Sequence, residues 1–446
     1  MAGEEFDEES RFCSDCTDDY WLKDKIGRYG IMGLCSVCKN EAGITISFHT
    51  LAEWLEAIWR EWFHPGEDVP VFSENSDRIE YDQRGDDPYL LINELLRCCS
   101  DEEAVTLSVM ALMGRGDHYE IMQGGDALLD ECTNYQRRDV PRYLVDQCWR
   151  DFVVDLKHHT RYFNQGAIRF FDKLFEDLGE VHTYVSCAPF VLSAEKKSVI
   201  QQYEPGSLAI YRARKAGDQN TLKCILNEPD TELTNPPDYL AAEGRMNPKG
   251  ISYFYGAQDR ATCVAELRPS LGEKAVSSEF ELIAPVQLLD LTLLAEGLHA
   301  RSESLFDENY PERRIHRKLL SRLHWLIAQP VVSGADLEYL PTQAMAEYLA
   351  RRNSPRIDGI IFESVQRKDG RNIVLFPHVL NKTNHSANDF IDNTLAIQIK
   401  PNTLVLHETT RIEYGFEERM IVDGEIEYLD KDLQDDYEYE HFLSPM

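Results

Sequence analysis

The first half of the chain carries apolar side chains at helical spacing. The strongest stretch, residues 51–63, repeats large apolar and aromatic side chains at every third or fourth position. Thr50 and Glu53 stand at its start with the spacing of a capping box, which satisfies free backbone N–H groups at a helix N-terminus. Further stretches of the same kind follow, so we predict an all-helical domain at residues 46–190.

The pattern changes near residue 207, where short apolar runs typical of β-strands alternate with polar loops. The predicted elements are a strand around Leu208 and Ile210, a strand at 251–255, a helix at 258–267, a strand and turn at 358–364, and a strand at 373–376. Strands and helices mixed in this way predict an α+β domain, which we place at residues 191–414.

Composition and charge restrict the partners of the chain. It has 446 residues, of which 43% are hydrophobic, enough for about two or three cores. Its 78 acidic and 46 basic residues give a formal net charge of -32. This charge repels nucleic-acid backbones and anionic membrane surfaces, so it disfavours nucleic acid as a partner. An anionic ligand must therefore be bound by a local cluster of basic side chains.

Acidic residues are concentrated at the two ends of the chain, and we predict an acidic tail at residues 415–446. No run approaches the ~18 apolar residues of a membrane-spanning helix, and the first residues are acidic where a signal peptide is basic and then apolar. We therefore predict a cytoplasmic protein without a membrane partner. Eleven cysteines are too sparse for a disulfide scaffold in a chain of this length.

Four of the cysteines form two C-x-x-C pairs. Cys13 and Cys16 are the first pair, Cys35 and Cys38 are the second, and the gap between them lies in the range of about 15 to 20 residues typical of zinc ribbons. Four thiolates can close a tetrahedron around zinc and leave no open position for water or substrate. We predict a structural zinc site in a ribbon at residues 1–45, with coincidental spacing as the alternative.

Several motifs in the second half stand in the order found in the RES family, which is named for an arginine, a glutamate and a serine. They are Tyr-Arg at 211–212, Gly-Arg-x-Asn-x-x-Gly at 244–250, Tyr255, the helix that ends at Glu266, and the strand before Ser364. This part of the chain therefore resembles a RES domain. It departs from the commonest pattern at Met246, where tryptophan is frequent, and at Gln366, where arginine is frequent.

The resemblance implies a fold like that of ADP-ribosyltransferases, with NAD as the substrate. It gives Arg212 and Arg245 the role of binding the pyrophosphate, because planar guanidinium groups contact phosphate oxygens in pairs. Glu266 is expected to stabilise the positive charge that develops on the ribose as nicotinamide leaves. Ser364 is expected to orient Glu266 or the ribose by a hydrogen bond.

Two further side chains complete the predicted NAD site. Tyr255 is expected to offer its ring face to the nicotinamide, and Arg214 is expected to support the site from the same strand as Arg212. The predicted catalytic residues are thus Arg212, Glu266 and Ser364, and the predicted NAD-binding residues are Arg245, Tyr255 and Arg214. Each of them alone is more often a solvated or ion-paired surface residue, so the prediction depends on their shared order.

The helical segment resembles the N-terminal domain that accompanies HEPN and RES proteins in toxin-like systems. The likeness rests on the run from Trp149 to Phe163, which includes His158. HEPN ribonucleases place an arginine closer to a histidine than Arg150 is to His158. An ordinary surface histidine is therefore the favoured interpretation of His158, and a ribonuclease is the second candidate.

We therefore predict a toxin of a toxin–antitoxin or phage-defence system that cleaves the nicotinamide–ribose bond of NAD by hydrolysis or phosphorolysis. An antitoxin protein is the expected partner, and a homo-oligomer stays open. Three alternatives remain: ADP-ribose transfer to a protein, a HEPN-type ribonuclease, and a binding module without catalysis. Labelled ADP-ribose attached to protein would identify transfer. RNA cleavage without NAD would identify the ribonuclease, and the absence of NAD turnover would identify the binding module.

Overall fold

The computed structural model describes residues 6–73, 78–114, 127–130, 132–186, 194–295, 303–328, 337–380, 396–412, 420–422 and 425–427. The chain forms two compact units. The first contains Met1–Pro141 with Ser302–Arg314, and the second contains Arg142–Arg301 with Ile315–Met446. The domain bounds given by the sequence stay predictions, and most of the predicted acidic tail at 415–446 lies outside the described residues.

The first unit combines a small sheet with helices. Its sheet has the strands β1 (Arg11–Cys13), β2 (Ile31–Gly33) and β3 (Gly43–Ser47), which pair antiparallel in the order β1-β3-β2. Its described helices include Tyr20–Tyr29, Phe48–Trp62, Pro88–Leu96 and Glu102–Leu112. Their apolar faces share one core with the residues around Cys13 and Cys16.

The helix Phe48–Trp62 has a different start from the predicted one. Ser47 is its N-cap, because the Ser47 side-chain oxygen accepts a hydrogen bond from Thr50 N at 3.1 Å. The capping box predicted at Thr50 and Glu53 is wrong, since the helix already begins at Phe48 and the Ser47 hydroxyl caps its first turn. Most of the predicted apolar stripe is buried, and the buried residues of this helix are Phe48, Leu51, Ala52, Leu55, Ile58 and Trp59.

The segment 46–190, predicted to be all-helical, also contains strands. They are β4 (Phe63–Pro65), β5 (Asp68–Ser73), β6 (Arg78–Gln83), β7 (Tyr135–Arg137) and β8 (His182–Ser186). β5 and β6 pair as an antiparallel hairpin, and β4 pairs with β7. In β6 apolar and polar residues alternate, a period-two pattern that favours a strand over a helix. The segment is therefore mainly helical rather than all-helical.

The second unit is built around a large mixed sheet. Its strands are β10 (Ile200–Tyr203), β11 (Ala209–Lys215), β12 (Phe254–Ala257), β13 (Lys274–Leu282), β14 (Val286–Asp290), β15 (Gly359–Glu363), β16 (Arg371–Leu375), β17 (Ile397–Ile399) and β18 (Val405–Glu408). Their order is β10-β14-β15-β16-β12-β11-β13-β17, and β18 also pairs with β13. β14 and β15 run parallel, whereas the other described neighbours are antiparallel.

Helices stand before and between these strands in the sequence. Described helices with most or all of their residues in the second unit are Arg142–Val154, Gln165–Leu174, Gln219–Asn227, Pro229–Glu232, Arg260–Glu266, Tyr310–Ala328 and Leu340–Arg351. Two further strand pairs join β8 to β9 (Ala194–Ser198) and β19 (Met420–Val422) to β20 (Glu425–Glu427). The α+β fold class is confirmed.

Within the described residues, no helix has the length and apolar character needed to cross a membrane.

β12 begins later than the predicted strand at 251–255. The backbone before it is bound to the preceding loop, because Asn247 Nδ2 donates to Ile251 O at 3.0 Å and Ser252 N donates to Asp238 Oδ1 at 3.3 Å. These backbone groups are therefore not available to the sheet. The other predicted elements of this half are present, with bounds that differ by a few residues.

Candidate active site

An open cavity of about 390 Å³ lies in the second unit. Residues of β11, β12, β16 and the helix Arg260–Glu266 contribute to its lining. Its size is within the range of about 300 to 1,000 Å³ found for small-molecule sites. Four of the six predicted catalytic and NAD-binding residues line it, namely Arg212, Arg245, Tyr255 and Glu266.

Glu266 is held at the cavity by two side chains that bind the same carboxylate oxygen. Ser364 Oγ donates to Glu266 Oε1 at 2.6 Å, and Asn372 Nδ2 donates to the same oxygen at 2.7 Å. Ser364 directly follows β15 and Asn372 lies in β16, so two neighbouring strands fix one carboxylate. This hydrogen bond to Glu266 is one of the two contacts expected of Ser364.

The helix Arg260–Glu266 carries Glu266 at its last position. Asp259 is its N-cap and accepts a hydrogen bond from a backbone N–H of the first turn at 2.9 Å. The same carboxylate pairs with Arg367, which belongs to the turn after Ser364. The start of the helix and the turn that carries Ser364 are thus joined by an ion pair, which supports the contact between Ser364 and Glu266.

Arg212, in β11, has a guanidinium that no carboxylate of the described residues neutralises. Its Nη1 donates to the carbonyl oxygen of Tyr255 at 2.8 Å, and the guanidinium carbon lies 5.0 Å from the centre of the Phe254 ring. Burial lowers the pKa of Arg212 to about 10, so the group still carries its charge at neutral pH. A half-buried cation in this position favours an anionic ligand.

The loop at residues 244–250 is fixed by two buried amide side chains. Asn247 Nδ2 donates to carbonyl oxygens on both sides of the loop, among them Ile251 O at 3.0 Å. Gln343 Nε2 lies 3.0 Å from Gly244 O and 3.1 Å from Asn247 O, so it ties the loop to the helix Leu340–Arg351. The loop therefore presents its arginine from a rigid backbone.

Arg245 is the arginine that this loop places at the cavity. Its Nη1 donates to the carbonyl oxygen of Ile327. Burial lowers the pKa of Arg245, while the charge of Glu266 and the hydroxyl of Tyr339 act in the opposite direction. Arg245 and Glu266 are therefore close enough to interact electrostatically across the cavity.

Tyr255 lines the cavity, but its hydroxyl is committed to the loop. The hydroxyl donates to Asn247 Oδ1 at 2.6 Å and accepts from Met246 N at 3.1 Å. Burial raises the pKa of Tyr255, so the phenol stays neutral at neutral pH. A Cβ added at Gly244 would stand 2.5 Å from Asn247 Oδ1 and 2.8 Å from the Tyr255 hydroxyl oxygen, so the turn requires glycine. Tyr255 therefore positions this loop in addition to offering its ring to the cavity.

Arg214 does not line the cavity. Side chains two positions apart in a strand point to the same face, which is why the sequence favours Arg214 as a neighbour of Arg212. Its guanidinium is exposed and pairs with Glu232 at the end of the helix Pro229–Glu232. The structure thus brings together Arg212, Arg245, Tyr255, Glu266 and Ser364, and leaves Arg214 outside.

The predicted set lacks several residues that line the cavity, among them Asn372, Tyr339 and Arg268. Arg268 follows Glu266 closely and has a positive φ of 46°, an uncommon conformation for a residue with a side chain. Its guanidinium lies against Gln366, whose amide oxygen accepts from Arg268 Nη2 at 3.0 Å when turned towards it. A guanidinium is therefore present beside the position where the family often carries arginine and this chain has Gln366.

His158 lies apart from the cavity. It belongs to the π-helical turn Asp155–His159, and both His158 and His159 are exposed. Neither histidine lines the cavity. The cavity lining that the structure describes therefore contains no histidine that could serve a ribonuclease.

The four predicted metal ligands come together in the first unit. The Sγ atoms of Cys13, Cys16, Cys35 and Cys38 all lie within 4.8 Å of one another. Cys13 Sγ is 3.5 Å from both Cys16 Sγ and Cys38 Sγ, and Cys16 Sγ is 3.7 Å from Cys35 Sγ. Sulfur atoms at about 2.3 Å from a central zinc stand about 3.8 Å apart in a tetrahedron, so the cluster has the size of such a site. The four cysteines can therefore hold a metal ion.

Two local turns build this cluster. Cys13 ends β1 and Cys16 ends the 3-10 turn Ser14–Cys16, while Cys35 and Cys38 follow β2. Cys13, Cys16 and Cys35 are buried and Cys38 is exposed. Burial raises the pKa of Cys13 to about 11, so a thiolate there needs a nearby cation.

Comparison with known proteins identifies the second unit's domain. Residues 210–391 match the model of the RES domain family. Residues 210–391 therefore form a RES domain. The resemblance found in the sequence is thereby confirmed, and the matched range contains Arg212, Arg245, Glu266 and Ser364. RES domains are generally those of NAD-related toxins, so membership indicates an enzyme that uses NAD. No curated protein and no solved structure matches the chain.

The family match does not extend to the rest of the chain. The resemblance of the helical segment to the HEPN/RES N-terminal domain stays a prediction, as does the zinc-ribbon class of the cysteine cluster. The likeness of the RES domain to ADP-ribosyltransferases also stays a prediction.

Proposed function

We propose that this protein cleaves the bond between nicotinamide and ribose in NAD. The observation that carries the proposal is the joint placement of Arg212, Arg245 and Glu266 on one cavity of a RES domain. Arg212 brings a charge that no carboxylate of the described residues neutralises, and Glu266 brings a carboxylate with a fixed orientation. A dinucleotide substrate uses both, because its phosphates are anionic and its ribose becomes cationic as the bond breaks.

The reaction breaks the C1–N bond of the nicotinamide ribose. The electron pair of this bond leaves with nicotinamide, which becomes a neutral base and needs no strong general acid. Glu266 stabilises the oxocarbenium character that develops on the ribose. Water that adds to C1 and loses a proton gives ADP-ribose, whereas inorganic phosphate gives ADP-ribose phosphorylated at C1. Both acceptors fit the proposal.

The other cavity residues have binding and positioning roles in this proposal. Arg212 and Arg245 contact the pyrophosphate through their planar guanidinium groups. Tyr255 offers its ring to the nicotinamide while its hydroxyl keeps the Arg245 loop in place. Ser364 orients Glu266. Arg214 has no role in the cavity, because its guanidinium pairs with Glu232.

We further propose that the protein is a cytoplasmic toxin of a toxin–antitoxin or phage-defence system, restrained by an antitoxin protein. Its support is the RES domain, since the family is generally one of NAD-related toxins. Expression of the wild-type chain in a bacterial host should lower cellular NAD and stop growth, and Glu266→Gln should do neither. Growth arrest that is equal in the two strains would contradict an NAD-based toxin.

For the first unit, we propose that the four cysteines bind a structural zinc ion. The sulfur spacing fits a tetrahedron, and four protein ligands leave no position for water, so the ion would stabilise the fold rather than act in catalysis. Elemental analysis of the purified chain tests this. One zinc per chain that is lost in Cys16→Ser supports the proposal, and its absence contradicts it.

The test of the main proposal is an assay with the full purified chain and NAD, with and without inorganic phosphate. Free nicotinamide and the ADP-ribose product are followed by chromatography and mass spectrometry. We expect nicotinamide release by wild type and its loss in Glu266→Gln. The matched control is Glu363→Gln, which makes the same change at an exposed position that does not line the cavity.

The products separate the candidate reactions. ADP-ribose without phosphate indicates hydrolysis, a phosphorylated product that needs phosphate indicates phosphorolysis, and ADP-ribose attached to protein indicates transfer. A folded wild-type chain that releases no nicotinamide contradicts the proposal. RNA cleavage in the absence of NAD would then favour the ribonuclease alternative, and NAD binding without turnover would favour a binding module.

A further inference from the structure

One oxygen of the Glu266 carboxylate accepts two hydrogen bonds. Ser364 Oγ and Asn372 Nδ2 both donate to Oε1, at 2.6 and 2.7 Å. Among the described residues, no side chain or backbone group donates to Oε2. The two donors therefore fix the carboxylate from one side and leave the second oxygen available to a ligand in the cavity.

Asn372 is the rigid member of this pair. It lies in β16, where its backbone is opposite Ala257 of β12 and Phe362 of β15, so a strand stands on each side of it. Its side chain is buried, 7% exposed, and the following residues Ile373 and Val374 are fully buried apolar side chains. Asparagine is depleted in strands, and a buried amide is costly unless it forms hydrogen bonds. The contact with Glu266 supplies such a bond.

Ser364 binds Glu266 from a more adaptable position. It lies in the turn after β15, where its backbone N donates to Gly370 O at 2.8 Å and its Oγ accepts from Gln366 N at 3.2 Å. A hydroxyl rotates about its C–O bond and can follow the carboxylate, whereas the direction of an amide N–H is set by the side-chain plane. The place of the carboxylate is therefore defined by Asn372, and Ser364 adds a second bond to it.

We propose that Asn372 is a positioning residue for Glu266, which locks Oε1 so that Oε2 is presented to the nicotinamide ribose. This inference rests on the proposed function. It adds a residue to the arginine, glutamate and serine for which the family is named. Asn372 acts through Glu266 and has no role in binding the phosphates.

The sharpest variant is Asn372→Asp, which keeps the shape of the side chain and replaces its donor by an acceptor. At neutral pH two carboxylates would face each other, so the hydrogen bond is lost and the Glu266 side chain is repelled. We expect kcat to fall about 100-fold with KM for NAD nearly unchanged. At lower pH, protonation of the introduced carboxyl group restores a donor to Oε1, so the deficit relative to wild type should shrink.

Asn220→Asp is the matched control. It introduces the same charge at an exposed position in the first turn of the helix Gln219–Asn227, away from the cavity. Its kcat, KM and pH profile should equal those of wild type. The inference is overturned if Asn372→Asp also behaves like wild type. It is equally overturned if Asn372→Asp loses NAD binding to the same extent at every pH, since that indicates a structural role.

A measurement without turnover separates this inference from the proposed function. In protein labelled with 15N-asparagine, the side-chain amide signal of Asn372 is identified by its loss in Asn372→Asp. This signal should shift in Glu266→Gln, because the acceptor changes from a carboxylate to a carboxamide. Absence of the shift contradicts the inference. If the signal shifts clearly between wild type and Glu266→Gln but the wild-type chain releases no nicotinamide, the proposed function is contradicted instead.

Discussion

The two candidate sites of this chain are built in opposite ways. The cysteine cluster takes four identical ligands from residues 13–38 and points them at one another. The cavity takes different side chains from residues between 212 and 372, and it keeps the Arg212 charge without a carboxylate partner among the described residues. A site that holds an ion permanently can be closed and local, whereas a site for a substrate must stay open and leave some of its charge for the ligand. Changes to the cysteine cluster should therefore affect the stability of the fold, and changes to the cavity should affect NAD turnover.

Loss of the proposed zinc ion should have the largest effect. Cys13, Cys16 and Cys35 belong to the same core as Phe12 and Phe48, so the core depends on the cluster. Structural zinc contributes on the order of 10 kcal/mol in small zinc domains. Cys16→Ser should lose the ion and unfold the first unit at a lower temperature, as measured by calorimetry with elemental analysis.

The matched control for this variant is Cys132→Ser, an exposed cysteine of the same unit outside the cluster. It should keep both the metal and the melting temperature. A metal-free Cys16→Ser protein that melts like wild type would contradict a structural role for the cluster.

Glu266→Gln should affect turnover and not stability. The side chain is exposed, so its removal costs little folding energy, but an electrostatic partner of a transition state typically contributes about 100-fold to 1,000-fold in rate. Nicotinamide release should fall by that factor, with an unchanged melting temperature. Equal turnover in Glu266→Gln and Glu363→Gln would remove Glu266 from the chemistry.

Arg212→Lys and Arg214→Lys compare two guanidinium groups on one strand. Lysine keeps the charge but cannot form the paired contact with phosphate, so we expect Arg212→Lys to raise KM for NAD about 10-fold. Arg214→Lys should leave KM near the wild-type value, because that guanidinium pairs with Glu232 outside the cavity. An equal rise in both variants would show that Arg214 also binds NAD.

Asp259→Ala should cause a smaller loss. Removing this N-cap costs about 1 kcal/mol of stability, and it also releases Arg367 from the start of the helix that carries Glu266. Asp218→Ala removes a comparable cap from the helix Gln219–Asn227, where the carboxylate accepts from two backbone N–H groups. Both variants should melt earlier, but only Asp259→Ala should lower kcat. A fall in kcat in both would indicate a general loss of folding.

The smallest effect concerns pH. Arg212 loses its charge only as the pH rises through about 10, its lowered pKa. The group is about 90% charged at one unit below its pKa, so KM for NAD should stay nearly constant from about pH 6 to pH 9 and rise above that range. Steady-state kinetics across this range measure it. A rise in KM between about pH 7 and pH 8 would show that a different group binds the phosphates.

The predictability of the two sites follows their construction. The cysteine cluster could be predicted because two tight turns with fixed spacing suffice to define it. The order of motifs placed Arg212, Arg245 and Glu266 in one site, but it does not define which side chains share a cavity. Asn372 belongs to the site because the register of β16 sets it opposite Ala257. No local pattern in the sequence encodes that pairing.

The same limit explains where the structure differs from the expectations. Strand periodicity alone places Arg214 beside Arg212, yet its guanidinium pairs with Glu232 and it does not line the cavity. The predicted capping box at Thr50 fits the spacing rule, but Ser47 precedes it and takes the role. In both cases the sequence offers several partners, and tertiary packing selects among them.

The most direct test of the account is a crystal structure of Glu266→Gln with NAD bound, since the slow variant should retain its substrate. The account predicts the pyrophosphate within hydrogen-bond distance of the Arg212 and Arg245 guanidinium groups, with C1 of the nicotinamide ribose facing position 266. NAD bound elsewhere in the chain, or a pyrophosphate that contacts neither arginine, would contradict it.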